Sequence, residues 1–102
     1  MKRCTVVIVE DHILIAQAIK GLVNSFDNYY VSYICSNGKE LLTRIKAGEP
    51  LPDVILMDVN IPVLNGIETT RLLKVLYPDL KIIALTVDAD ETSVVNMFKA
   101  GA

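Results

Sequence analysis

Thr5-Val6-Val7-Ile8-Val9-Glu10-Asp11 is the stretch that decides how this chain folds. Its first five residues are β-branched without a polar interruption, and two acids follow at once. A strand with one wet face alternates apolar and polar residues. An unbroken run suits a strand covered on both faces, as in a parallel sheet flanked by helices.

The same grammar repeats outward from this run. Ile15, Ala18, Ile19, Leu22 and Phe26 recur at helical spacing and predict a first helix with that apolar side. Tyr30 to Cys35 reads as a second strand. Asn37 and Glu40 have capping-box spacing and open a second helix, with Leu41, Leu42 and Ile45 apolar. Gly48, Pro50 and Pro52 stop it.

Val54-Ile55-Leu56-Met57 is a third apolar run, ending at Asp58. Asn65 and Glu68 repeat the capping spacing before a third helix that runs to about Tyr77, ahead of Pro78. Lys81 to Thr86 reads as a fourth strand. A fourth helix is expected from about Asp90, with Val94, Val95, Met97 and Phe98 apolar and Gly101 suited to its cap. Strands alternating with helices imply an α/β doubly wound parallel sheet with right-handed crossovers. Ending on a helix cap leads us to expect one domain, 1–102, that lacks a further strand and helix.

Composition narrows the function. With 10 Lys and Arg against 12 Asp and Glu, the net charge of −2 supplies no basic field for nucleic acid or an anionic membrane. No apolar run approaches the ~20 residues of a membrane-spanning helix. The start, Met1 to Thr5, has no signal-peptide pattern, so a cytoplasmic location is expected. Cys4 and Cys35 sit in separate apolar segments without CxxC spacing and read as reduced and buried.

The acids are placed informatively. Glu10 and Asp11 follow the first strand, Asp58 ends the third, and Thr86 ends the fourth. Ligands of open parallel sheets bind outside the carboxyl ends of the strands. Three carboxylates therefore converge with one hydroxyl. At a separation of ~6 Å and an effective dielectric of ~20, each carboxylate pair repels by about 3 kcal/mol. Such a cluster takes up a proton or binds a cation, and hard oxygen ligands favour magnesium over zinc. Helix capping explains Asp11 or Asp58 taken singly. It does not explain why both end buried strands with Glu10 alongside. His12, the only histidine, reads as a solvent-facing residue at a helix start. Tyr29, Tyr30 and Tyr33 read as strand packing, since no basic groove accompanies them.

Taken in order and spacing over essentially the whole chain, these features resemble the receiver domains of two-component response regulators. The residues that carry the resemblance are Glu10-Asp11, Met57-Asp58, Asn60, Pro62, Gly66, Thr86 and Phe98-Lys99-Ala100-Gly101-Ala102. It implies a flavodoxin-like fold with strand order 2-1-3-4, the fifth strand and helix being absent. It implies that Asp58 is the phosphoacceptor and Thr86 the switch hydroxyl. Mg2+ would be held by Asp11, Asp58 and the backbone carbonyl of Asn60, with Glu10 acting directly or through water. The donor would be a histidine kinase or phosphotransfer protein. The chain would be a regulatory phosphoacceptor rather than an enzyme, with at most slow self-dephosphorylation. The overall style resembles regulators with a LuxR-type helix-turn-helix output, which would contact DNA from a domain outside this chain. A bared fourth strand further leads us to expect a homodimer.

Departures from the family are also legible. The conserved lysine and the aromatic switch residue of the fifth strand have no counterpart here, and Lys99 is not a substitute. Val87 stands after Thr86 where the family often has a smaller residue. These keep open a receiver that acts only through protein contacts. A nucleotide- or flavin-binding domain would need a Gly- or Ser/Thr-rich phosphate loop where Glu10-Asp11-His12 stands. A magnesium phosphohydrolase would have a second Asp where Asn60 stands.

Overall fold

The structure is a computed structural model and describes residues 4–58 and 66–85. The first apolar run forms β1 (Cys4–Val9), followed by α1 (Ile13–Asn24), β2 (Tyr29–Cys35) and α2 (Gly38–Lys46). The second half continues with β3 (Val54–Asp58), α3 (Gly66–Leu76) and β4 (Lys81–Leu85). All strand pairs are parallel, in the order β2-β1-β3-β4. The expected fourth helix lies outside the described residues, as do Asn65, Val87, Lys99 and Gly101.

Successive residues of β1 serve opposite faces. Val7 and Val9 join Cys35, Leu41, Ile55, Met57 and Leu73 in a core under α2 and α3. Val6 and Ile8 join Val31 in a second core under α1, completed by Ile19, Val23, Ile34, Val54 and Leu56. Period-2 geometry thus turns a continuous apolar run into two half-cores, which is why no polar residue interrupts it.

The ends of the elements are chemically fixed. Asn37 accepts from the Glu40 N–H at 2.8 Å, and the Glu40 carboxylate accepts from the Ser36 N–H at 2.9 Å. Gly48, at φ 101°, closes α2. Its N–H reaches Ile45 O at 3.2 Å, and the Glu49 N–H reaches Arg44 O at 3.1 Å, the paired bonds of a Schellman motif. Lys74 donates at 2.9 Å to both Pro78 O and Leu80 O and clips the turn into β4. At the amino edge of the sheet, the Thr5 N–H donates to the Asp53 carboxylate at 2.8 Å, and the Asp53 N–H returns to Thr5 O at 3.1 Å.

Two expectations need correction. The buried side of α1 is Ala16 with Ile19 and Val23, while Ala18 and Leu22 face solvent. Phe26 lies beyond the helix, which ends at Asn24, and is exposed. Two stripes with helical spacing overlap in this apolar helix, and strand contact selects the one carrying the small Ala16. Among the tyrosines, Tyr33 packs on the core with the Arg44 guanidinium 3.9 Å above its ring, whereas Tyr29 and Tyr30 on the edge strand are exposed. Both cysteines are free, Cys35 buried and Cys4 half-buried.

Candidate functional site

The chain runs from β1 to β2 on one side, then crosses back to β3 on the other side of β1. The crossovers therefore diverge at the carboxyl ends of β1 and β3, leaving a crevice between them. Val9 pairs with Met57 at this end, so the residues next in line are Glu10 and Asp58. Adjacency of the two strands, not closeness in sequence, brings these carboxyls together.

Glu10, Asp11, His12 and Asp58 each offer one ligand atom, and these atoms all lie within 4.8 Å of one another. The site is graded from floor to rim. Glu10 and Asp58 are buried, Asp11 is half-buried, and the His12 ring is exposed. The Glu10 backbone is held by its N–H to Cys35 O at 2.9 Å, tying the floor to β2.

Glu10 and His12 are closely engaged. Glu10 Oε1 accepts from His12 Nδ1 at 2.7 Å and from the His12 N–H at 3.1 Å. The second bond satisfies an orphan donor just ahead of α1, where a negative charge also complements the helix dipole. Burial acts to raise the Glu10 carboxyl. The bonds from His12 and one with Asp58 outweigh it and leave Glu10 below the ordinary carboxylate value. His12 is raised in turn, first by the hydrogen bond to Glu10 and then by the nearby charge of Asp11. Asp11 Oδ1 lies 3.2 Å from Nδ1, yet it is closed off from solvent and accepts no hydrogen bond.

The sequence-derived site residues Glu10, Asp11 and Asp58 are thus brought into one cluster. Asn60 and Thr86 lie outside the described residues. His12 was read only as solvent-facing. Its ring is indeed open to solvent, 65% by area, but Nδ1 turns inward onto the carboxylates. Its place directly after two acids at a helix start was the available signal. Chemically, a buried carboxylate crowded by two others suits a hard divalent cation, which removes the mutual repulsion and satisfies Asp11 Oδ1.

Comparison with known proteins gives a consistent result. Residues 6–102 match the family model of the response regulator receiver domain. The chain is 35% identical over 97 residues to the transcriptional regulatory protein DegU of Brevibacillus brevis, covering 95% of this chain and 40% of that protein. It is 37% identical over 97 residues to the response regulator GacA of Pseudomonas viridiflava, covering 95% and 44%. The chain therefore spans less than half the length of these relatives. Among solved structures, a response regulator from Chloroflexus aurantiacus superposes with TM-score 0.84 at 29% identity, covering 99% of this chain and 81% of that one. The receiver domain of NarL from Mycobacterium tuberculosis superposes with TM-score 0.89 at 22% identity, covering 100% and 81%, and speaks to the fold alone.

Proposed function

The chain belongs to the response regulator receiver domains, and from that premise we propose that it is a phosphorylation-dependent switch with Asp58 as the phosphoacceptor. The observation that carries this reading is the burial of Asp58 at the end of β3, within 4.8 Å of ligand atoms from Glu10 and Asp11. An Asp58 carboxylate oxygen attacks the phosphorus of a phosphohistidine on a histidine kinase or phosphotransfer protein. The O–P bond forms, the P–N bond breaks, and the departing imidazole keeps the electron pair. Glu10, Asp11, Asp58 and the Asn60 carbonyl would hold Mg2+, which offsets charge and aligns the phosphoryl oxygens.

Each site residue has a distinct part in this reading. Glu10, fixed to Cys35 O and kept ionised by His12, holds negative charge at the floor. Asp11 supplies the second anionic ligand from the rim. Thr86 supplies the hydroxyl that meets the phosphoryl group and converts phosphorylation into a conformational change. The relatives' transcriptional roles favour a DNA-binding output domain as the downstream element. An apolar groove beside α1, lined by Val23, Phe26, Val54, Leu56 and Ile83, favours a homodimer, which light scattering over a concentration series checks. Among the described residues, no helix is long and apolar enough to cross a membrane.

The test is mass spectrometry after exposure to a small-molecule phosphodonor with Mg2+. One phosphoryl group is expected on the wild type and none on Asp58→Asn. Modification persisting in Asp58→Asn sinks the assignment. Equal Mg2+ affinity in the wild type and Asp11→Ala sinks the metal site.

A further inference from the structure

Among the described residues, β2 has β1 on one side and no strand on the other. Its seven residues, Tyr-Tyr-Val-Ser-Tyr-Ile-Cys, include no charge, proline or glycine. Uncharged aromatic and β-branched edges template pairing with another chain, and native edges are blunted by charge, proline, bulges or a covering group. Charge and proline are missing here, and Tyr29 and Tyr30 are exposed. A side chain does the covering instead. Asn24, the exposed last residue of α1, accepts the Val31 N–H on its Oδ1 at 2.9 Å. Two residues earlier, the Tyr29 N–H donates to Phe26 O at 3.3 Å. These are alternate residues of the strand and neither N–H goes to β1, so both lie on the outer edge. The amino half of that edge is therefore occupied before a further strand can use it. A register shift between Val6 and Val7 leaves Ser32 unpaired, which adds a bulge at the same place.

We propose that the Asn24 carboxamide is a clip that keeps the edge of β2 closed to a second copy of this chain. Without Oδ1, the N–H of Val31, a residue only 9% exposed, has lost its acceptor. A strand carbonyl is the natural replacement. A second copy brings the same uncharged strand, so no like charges oppose each other across a two-fold contact. A charged peptide finds no residue of opposite sign in β2. This surface is distinct from the groove beside α1, because it uses the backbone of β2 and not the side chains of Val23, Val54 and Leu56. It is also independent of the phosphoacceptor reading.

Hydrogen exchange at high dilution tests the clip itself. The Val31 amide should exchange roughly tenfold or more slowly in the wild type than in Asn24→Ala. Sedimentation velocity over a concentration series tests the partner. Asn24→Ala should reach at least twice the wild-type mass and return to it on dilution, while Asn24→Asp, which keeps the acceptor oxygen, should match the wild type. Adding Tyr30→Lys to Asn24→Ala places a guard charge on the edge and should restore the wild-type mass. Association through the groove beside α1 is common to all these proteins, so the excess over the wild type reads β2 alone. The exchange rate of Val31 in the wild type needs no variant. Free exchange there overturns the proposal. So does an Asn24→Ala protein that keeps the wild-type mass, aggregates only irreversibly, or associates equally with Lys at position 30.

Discussion

Replacing Asp58 by Asn should make the metal-free protein more stable. Asp58 shares its crevice with Glu10 and Asp11, with ligand atoms no more than 4.8 Å apart. Two unit charges at that distance repel by about 3.5 kcal/mol at an effective dielectric of ~20. Part of this is already offset, because Glu10 is engaged by His12. A net gain of about 2 kcal/mol remains, which for a domain of this size raises Tm by roughly 10 °C. Asn is nearly isosteric, so no cavity confounds the comparison. Thermal and urea unfolding in EDTA measure the gain directly. Adding Mg2+ at ten times its Kd should stabilise the wild type by about 1.4 kcal/mol and the variant by far less. If Asp58→Asn melts no higher in EDTA, or if Mg2+ raises both proteins equally, the carboxylates do not repel as argued and Asp58 is not a ligand.

Three further outcomes follow from other parts of the fold. Gly48→Ala should lose about 1 kcal/mol in urea unfolding, because φ is 101° while a Cβ there would meet nothing within 4 Å, so the loss is conformational alone. Burial pushes the Cys35 thiol up to about 12 from 9.0, so the thiolate at pH 8 should be about a thousandfold scarcer than in the unfolded chain; iodoacetamide should label Cys35 only on unfolding, as peptide mapping can read. Ile55→Ala, at a fully buried position under α2 and α3, should cost about 3 to 4 kcal/mol and lower the urea midpoint without changing its slope.

The parts of this fold that were legible in the sequence are those set by short-range pattern. The unbroken run from Thr5 to Val9 announced a strand with two covered faces, and Val6 and Val7 do lie in different cores. The Asn37 and Glu40 spacing and Gly48 marked both ends of α2. The placement of Glu10, Asp11 and Asp58 followed from their common position at strand ends. What was not legible depends on tertiary contact. In α1 eight of the twelve residues are apolar, so periodicity could not choose between the stripe through Ala18 and Leu22 and the one through Ala16 and Val23. The inward turn of His12 depends on Glu10 being fixed beneath it by its backbone N–H bond to Cys35 O, a contact supplied by β2.

The crevice exists only because β1 and β3 are neighbours, with Val6 paired to Val54. That pairing spans nearly half the chain, and closing a flexible loop of this length costs about 3.4 kcal/mol of chain entropy before any contact is made. The Thr5–Asp53 bonds close the same loop at its far end. A folding nucleus built from β1, α1 and β2 alone therefore contains Glu10 and Asp11 but not Asp58. On the proposed reading, competence to bind the cation and take up phosphoryl arises only when the central pair has docked. An ion bound at Glu10, Asp11 and Asp58 thus acts as a late staple, slowing unfolding while leaving the earlier steps of folding at their own pace.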